Sequence, residues 1–277
     1  MFFMPPASSE VFLERCRNSD GGFGPTEGAF SESEVTALAA IALDDSDARA
    51  WLLSHQDEDG GFGEAVGSVA ADDTAVAALA LPAGEPLERA LDHLESYAGQ
   101  KTASSDIIPH SPDVAGWPWT HDALGWTEPT AWGLLALRRL RPAATARIDD
   151  GVAYLRDREC TGGGWNYGTR EAFGVALEPF VQTTAIAVIA LHGADAPLTD
   201  RGVRVLRERW RREATGPLSL ATAAVALRLA SDPDAAEIEG TLRVAWEDFD
   251  DLGSVDAVAA AWATIALGPG TERLDVP

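Results

Sequence analysis

Apolar and polar positions alternate along this chain in a pattern that recurs six times. In each copy, a segment with charged and apolar residues at the spacing of an amphipathic helix is followed by a loop and then by a run of Ala, Leu and Val. We interpret this pattern as one supersecondary unit repeated along the chain. The amphipathic segments, which predict outer helices, lie at about 8–18, 46–56, 87–99, 146–159, 200–213 and 234–248.

The apolar runs predict inner helices, because a helix without a polar face must be surrounded by protein. Six buried helices that alternate with six half-exposed ones favour two concentric rings over a bundle, whose helices would share one pattern. We therefore expect an all-α fold, a single (α/α)6 toroid over residues 1–277, with a flexible tail at about 268–277 and no strands. The apolar runs are "VTALAAIAL", "TAVAALAL", "TAWGLLALRRL", "TTAIAVIAL", "LATAAVALRLA" and "DAVAAAWATIAL".

Glycine-rich loops join the outer to the inner helices. Glycine permits the positive-φ turn that ends a helix, and the aromatic residue after it can pack between neighbouring repeats. In a toroid all these loops and all inner-helix starts lie on one rim, so function is expected there. The loops read "DGGFG" at 20–24, "QDEDGGFG" at 56–63, "AGWPW" at 115–119 and "GGGWNYG" at 162–168.

These loops, with the inner-helix starts "DDTAVAALAL" and "TEPTAWGLLAL", resemble the repeats of terpenoid cyclases and of protein prenyltransferase β subunits. The resemblance spans essentially the whole chain and implies the toroidal fold. Catalytic and non-catalytic members share the repeat. The resemblance therefore says little about the reaction.

Composition narrows the choice of partners. A formal net charge of −23 argues against binding to nucleic acid or to an anionic membrane, since both need a basic face. Two cysteines are too few for a disulfide framework, and no stretch approaches the roughly 18 apolar residues of a membrane span. We expect a cytoplasmic protein with neither a signal peptide nor an integral membrane segment.

The predicted rim is uneven, because its connections grow longer in the third and fourth repeats. From the first loop glycine to the inner-helix threonine there are 14 residues in the second repeat (Gly60 to Thr74) but 21 in the fourth (Gly163 to Thr184), and an insertion at about 100–115 precedes the third loop. Longer loops on one face are typical of binding sites in repeat folds. The aromatic residues of this region are Trp117, Trp119, Trp126, Trp132, Trp165, Tyr167, Phe173 and Phe180.

This aromatic cluster has two interpretations. It is either a hydrophobic plug that seals one end of the ring or the wall of a pocket. Aromatic faces stabilise a developing carbocation by about 0.5–2 kcal/mol each and also fit an uncharged polyene, so a pocket would suit an isoprenoid or other apolar substrate. Gln182 and Arg170 are further candidates for substrate contact.

Acidic residues are frequent at the inner-helix starts. The position two before the inner-helix threonine holds Glu34, Asp72, Glu128 or Gln182, so a polar group there belongs to the repeat. In "VAADDTAVAALAL" we expect one aspartate to cap the helix. Crowding of Asp73 beside Asp72 in a partly dry rim raises one carboxyl pKa, which favours retention of a proton.

The stretch "AADDTA" also resembles the Asp-x-Asp-Asp-Thr-Ala acid motif of class II terpenoid cyclases such as squalene-hopene cyclases, which start cyclisation by protonating an alkene or epoxide. By this resemblance Asp72 matches the proton donor and Asp73 its neighbour. Ala70 replaces the first aspartate of the motif. The replacement removes a hydrogen-bonding partner of the acid.

The prenyltransferase resemblance would imply a zinc ion held by an Asp, a nearby Cys and a later His. "DREC" supplies Asp157 and Cys160, but His192 follows Thr184 by eight residues, about 12 Å along a helix. The three residues therefore cannot share one ion. We expect no metal and no cofactor.

The leading hypothesis is a terpenoid-cyclase-like protein that acts as a metal-independent, proton-initiated cyclase or isomerase. Asp72 would donate the proton, and Asp73 and His121 would orient it. The main alternative is a non-catalytic prenyl-binding or protein-interaction scaffold of the same fold. A minor alternative is a carbohydrate-active enzyme with Asp72 and Glu128 as acid and base. A protein partner or a second copy of the chain would close an apolar rim.

Overall fold

The computed structural model describes residues 8–63, 69–101, 103–105, 107, 109–213, 216–251, 253 and 255–276. Over these residues the chain is mostly helical, and amphipathic and apolar helices alternate as the sequence predicts. The outer helices are α1 (Ser8–Arg15), α3 (Ser46–Ser54), α5 (Glu85–Ser96), α7 (Thr145–Arg158), α9 (Ala196–Arg209) and α11 (Asp234–Asp251). The inner helices are α2 (Ser33–Leu43), α4 (Ala71–Ala80), α6 (Thr127–Leu140), α8 (Val181–Leu191), α10 (Pro217–Leu229) and α12 (Ala257–Leu267).

The inner helices form a closed ring. Each packs against the next one along the chain, and α12 packs against α2. Outer helix α1 packs on α12, and every other outer helix packs on the inner helix that precedes it. The predicted all-α toroid is confirmed.

The tightest helical hairpins run from an inner helix to the outer helix that follows it. They are joined by short turns, such as residues 44–45 and 192–195. Asp45 and Asp195 cap the outer helices by accepting hydrogen bonds from the backbone N–H groups of Ala48 and Leu198. The long glycine loops therefore all lie at the opposite end of the hairpins.

Two tryptophans meet at the centre of the ring. Trp132 is the sixth residue of α6 and Trp262 is the sixth residue of α12, and these two helices lie three places apart in the ring of six. Both side chains are buried, and their ring centroids are 5.6 Å apart. The ring is therefore filled at this level and not hollow.

Two short strand pairs, which the sequence pattern did not predict, lie in the rim loops. Strand β1 (Phe62–Gly63) pairs with β2 (Val69–Ala70), and β3 (Glu171–Ala172) pairs with β4 (Val175–Ala176), both antiparallel. Strands of two residues are too short to show an alternating pattern.

The C-terminal residues also differ from the expectation of a flexible tail. Pro269–Arg273 forms a 3-10 helix, and Leu274 is fully buried against the core. The Arg228 guanidinium holds this segment by donating to the Gly268 carbonyl oxygen and the Thr271 hydroxyl. The local sequence gives no signal for this tertiary contact.

Candidate functional site

One hydrogen bond recurs at the rim in the first four repeats. The backbone N–H of the loop aromatic donates to the hydroxyl of the inner-helix threonine, with an N···Oγ1 distance of 2.9 Å each time. This bond ties each glycine loop to the start of an inner helix, so these four loops share one end of the ring. The pairs are Phe23 with Thr36, Phe62 with Thr74, Trp117 with Thr130, and Trp165 with Thr184.

The loop aromatics are part of the core. Trp117 and Trp165 have no exposed surface. Their indole N–H groups donate to the backbone oxygens of Leu94 and Leu155 at 2.9 and 2.7 Å, and the Arg147 guanidinium lies 3.4 Å from the centroid of the Trp117 ring. Neither tryptophan presents a surface to a ligand, which argues against a direct contact with substrate.

The mouth of the ring is formed by the second residue of each inner helix. Five of these six side chains are partly exposed, whereas the residues two to five positions further along are buried in all six helices. Residues four apart share a helix face, so Glu128 and Val258 lie one turn above Trp132 and Trp262. The mouth residues are Glu34, Asp72, Glu128, Gln182, Leu218 and Val258.

Acidic groups crowd the mouth and raise one another's pKa. Burial raises the pKa of Glu34 well above its usual range, and the negative charges of Asp72, Asp73 and Glu128 add to this effect. The pKa of Glu128 rises to about 7, first through burial and then through the charge of Asp72, although a hydrogen bond from Gln182 partly offsets the rise. Carboxyl groups at this mouth therefore retain protons near neutral pH.

Asp72 and Asp73 lie in the first turn of α4, and each is only 5% exposed. Ala70 is the N-cap residue, and no side chain caps this helix. The expectation that one aspartate caps α4 is wrong, because strand β2 runs directly into the helix and leaves Ala70 at the cap position. Both aspartates still lie at the positive end of the helix dipole.

Tyr97, which follows α5, is a residue that sequence reasoning missed. Its ring lies 4.5 Å from that of His121 and 4.9 Å from that of His93, and it is nearly fully buried. Burial, and after it the negative charge of Asp72, raises the pKa of Tyr97 to about 12. The Tyr97 ring therefore contacts His121 and lies close enough to Asp72 to feel its charge. Nothing in the sequence around the end of this amphipathic helix indicated that Tyr97 would lie near His121 and Asp72.

The remaining predicted aromatics divide into two groups. Trp126, Tyr167 and Phe180 are exposed on the rim, with the rings of Tyr167 and Phe180 5.2 Å apart, and Trp119 is half-buried. Phe173 is 79% exposed at the turn between β3 and β4. It points into solvent and does not line the mouth.

Two predicted polar residues have structural partners. Gln182 hydrogen bonds to Glu128 in the mouth. Arg170 donates to the Pro109 carbonyl oxygen at 3.1 Å and so anchors the insertion.

The residues considered for zinc lie in other settings. Asp157 pairs with Arg158 and accepts a hydrogen bond from the Ser111 backbone N–H, and Cys160 is buried. His192 caps the far end of α8. Within the described part of the chain, no three His, Cys, Asp or Glu side chains are grouped so that they could hold a metal ion.

The closed double ring is an α/α toroid with a terpenoid-cyclase-like fold. The chain is similar to the ligand-free type II terpene cyclase MstE from Scytonema, with 20% identity over 85% of this chain and 77% of that one and a TM-score of 0.55. A variant of MstE in complex with geranylgeranyl dihydroxybenzoate, its substrate, gives 16% identity over 95% and 78% and a TM-score of 0.53. A crystal structure of a protein from Actinoplanes gives 16% identity over 95% and 80% and a TM-score of 0.52.

At these identities the likeness shows the fold. No family model and no curated protein matches the sequence. None of the helices in the described ranges is long and apolar enough to cross a membrane.

Proposed function

We propose that this protein binds an isoprenoid or similarly apolar substrate at the mouth of the ring and acts as a metal-independent, proton-initiated cyclase or isomerase. The observation that carries the proposal is the group of crowded carboxyls on three inner helices, one helical turn above the buried Trp132 and Trp262. Such a mouth supplies an acid, and the partly exposed Leu218 and Val258 with the exposed Phe180 supply an apolar surface.

The carboxyls of the cluster share protons, and the first step would be proton transfer to an alkene carbon from Asp72 in the state where Asp72 holds the proton and a neighbouring carboxyl is ionised. The π electrons form the new C–H bond, and a carbocation remains on the neighbouring carbon. The raised pKa values of Glu34 and Glu128 favour proton retention in this cluster, and both carboxyls lie close enough to Asp72 to feel its charge. A carboxylate of the cluster then takes a proton from the cation and forms the product alkene.

Other residues would position the acid and the substrate. Asp73 and His121 would orient Asp72, with His121 acting through Tyr97. Gln182 would orient Glu128 through their hydrogen bond. Phe180, which is exposed beside the mouth residue Gln182, would contact the apolar substrate.

The structural neighbours guide the choice of the first substrate. The MstE variant is described with geranylgeranyl dihydroxybenzoate as substrate. A geranylgeranyl aromatic acid is therefore the first compound to test on this chain, with geranylgeraniol as the simpler prenyl chain.

The test is product formation, measured by liquid chromatography and mass spectrometry. We expect Asp72→Asn to lower turnover by at least about 100-fold, since general acid catalysis contributes typically 10²–10⁴-fold. Asp113→Asn, which changes an exposed aspartate of a rim loop, is the matched control and should retain turnover. Wild-type turnover in Asp72→Asn would exclude Asp72 as the acid.

The second candidate function is a non-catalytic scaffold that binds a prenyl group or a protein. It is favoured by Ala70, which stands where the acid motif has an aspartate, and by the exposed aromatics of the rim. Native mass spectrometry after gentle purification separates the two candidates. A stable protein complex without turnover supports the scaffold, whereas a co-purifying isoprenoid that is converted to product supports the enzyme.

A further inference from the structure

A separate cavity lies beside α7, under the insertion at 100–115. Its volume is about 260 Å³, and the mouth residues of the inner helices do not line it. Two hydrogen bonds hold the insertion against the loop that follows α7. The Phe173 N–H donates to the Ile107 carbonyl oxygen at 2.8 Å, and the Arg170 guanidinium donates to the Pro109 carbonyl oxygen.

One side of this cavity is apolar. Its wall includes Val114, Leu124 and the aromatic rings of Trp126, Tyr154 and Tyr167. The Tyr154 hydroxyl donates to the Gly125 carbonyl oxygen at 2.5 Å, which fixes this ring in the wall. A cavity of about 150 Å³ accommodates benzene, so this one has room for a substituted aromatic ring.

Positive charge lies against this apolar wall. Arg158 is only 5% exposed, and its guanidinium lies 4.7 Å from the centroid of the Tyr154 ring. Asp157 pairs with Arg158, but Arg170 adds a second positive charge near His110. Two guanidinium groups against one carboxylate leave an excess of positive charge around His110, on a chain whose net charge is −23.

His110 supplies a polar atom that no described residue satisfies. Its Nδ1 atom is buried and has no hydrogen-bond partner within the described part of the chain. Burial and the two neighbouring guanidinium groups lower the pKa of His110 to about 4, so the imidazole is neutral at physiological pH. His110 is one of the residues that line the cavity, and a neutral imidazole can donate one hydrogen bond to an oxygen of a ligand.

We propose that this cavity binds a small aromatic carboxylate, with its ring against Trp126 and Tyr167 and its carboxylate directed to Arg158 and His110. A neutral hydrocarbon would leave His110 and the positive charge without a partner. A small inorganic anion would leave the apolar wall of the cavity without an apolar group packed against it. The inference does not depend on the proposed cyclase activity, because it concerns a cavity outside the mouth.

The test is calorimetric titration of the full chain with 2-naphthoate, with the neutral 2-naphthamide as the matched ligand. We expect a Kd on the order of 0.1–1 mM for 2-naphthoate, which is typical of ligands of this size. The amide should bind at least about tenfold more weakly, because it cannot make charge-assisted hydrogen bonds.

Two variants locate the binding. Thr169→Trp fills the cavity from its wall, and Ala103→Trp fills it from an exposed position. Each should weaken naphthoate binding at least about tenfold once its native fold is verified by near-ultraviolet circular dichroism. Phe30→Ser removes an aromatic side chain that is 93% exposed in the first repeat, and it should leave binding unchanged.

The use of two cavity-filling variants keeps the test decisive if one of them does not fold. No binding of 2-naphthoate up to about 10 mM would overturn the proposal, as would equal binding of the amide. Unchanged binding in a correctly folded cavity-filling variant would overturn it as well.

Discussion

The glycine loops of the second and fourth repeats begin in the same way and end differently. In each, a glycine with positive φ is followed by a buried aromatic residue whose N–H donates to an inner-helix threonine at 2.9 Å. At Gly60 an added Cβ would lie 2.5 Å from the Arg89 carbonyl oxygen, so glycine is required there by close packing as well as by φ. The glycine and the buried aromatic residue, which both loops share, therefore maintain the fold.

The two loops diverge after the aromatic residue. The longer loop of the fourth repeat forms the β3–β4 hairpin, whose Phe173 is exposed and whose backbone bonds to Ile107 of the insertion. The insertion held by that contact carries His110 and Val114, which line the 260 Å³ cavity. The comparison teaches that the repeat motif maintains the ring, whereas the added residues line a cavity outside it.

The largest expected effect tests whether the loop aromatics are equivalent. Trp165→Ala and Phe62→Ala should each lower the free energy of unfolding by about 3–5 kcal/mol, because both delete a fully buried ring. Urea denaturation monitored by far-ultraviolet circular dichroism measures the change. A loss below about 1 kcal/mol in one variant alone would break the equivalence of the two loops.

The next largest effect concerns the mouth of the ring. Carboxyl groups from repeats with shorter loops and from a repeat with a longer loop meet there. The folded pKa of Glu128 is about 7, against an ordinary value of 4.5, so the folded state holds a proton that the unfolded state has lost between these pH values. The free energy of unfolding should therefore fall as pH rises from about 4.5 to 7, by roughly 3 kcal/mol in total.

Glu128→Gln should remove this part of the pH dependence and exceed the wild type in stability at pH 8, while Glu34 sustains a residual slope. Urea denaturation at pH 5, 6, 7 and 8 tests this expectation. Parallel curves for the variant and the wild type would contradict the raised pKa.

A smaller effect tests the hydrogen bond that both loops make, from the N–H of the loop aromatic to the inner-helix threonine. Thr74→Val and Thr184→Val keep the side-chain shape but leave the N–H groups of Phe62 and Trp165 without their acceptors. Each should cost about 1–3 kcal/mol, the typical penalty for a buried unsatisfied donor. Thermal unfolding of both variants measures it, and a cost confined to one repeat would show that the bond is not equivalent in the two.

The smallest expected effect concerns the β3–β4 hairpin in the longer loop of the fourth repeat. Phe173→Ala removes an exposed ring at the hairpin turn, so the free energy of unfolding should change by less than about 0.5 kcal/mol. Urea denaturation beside Trp165→Ala provides the contrast. A loss similar to that of Trp165→Ala would mean that the hairpin is also structural.

The sequence predicted the fold closely and the site only in part. The 3.6-residue period and the unbroken apolar runs predicted both rings, because burial on one side or on all sides leaves a periodic record in the chain. The same reasoning placed Trp117, Trp165 and Phe173 in a pocket, because composition does not tell an inward side chain from a solvent-facing one. Tyr97 was missed since its role depends on neighbours that are distant in sequence.

By itself, the sequence determined the alternation of helices, the glycine turns and the polar second position of the first four inner helices, all of which depend on local spacing. Only the tertiary structure decided that Trp132 and Trp262 meet across the ring, that the C-terminal residues pack on the core, and that Arg158 and His110 face a common cavity. The physical reason is closure of the ring, which brings together residues whose separation along the chain carries no periodic signal.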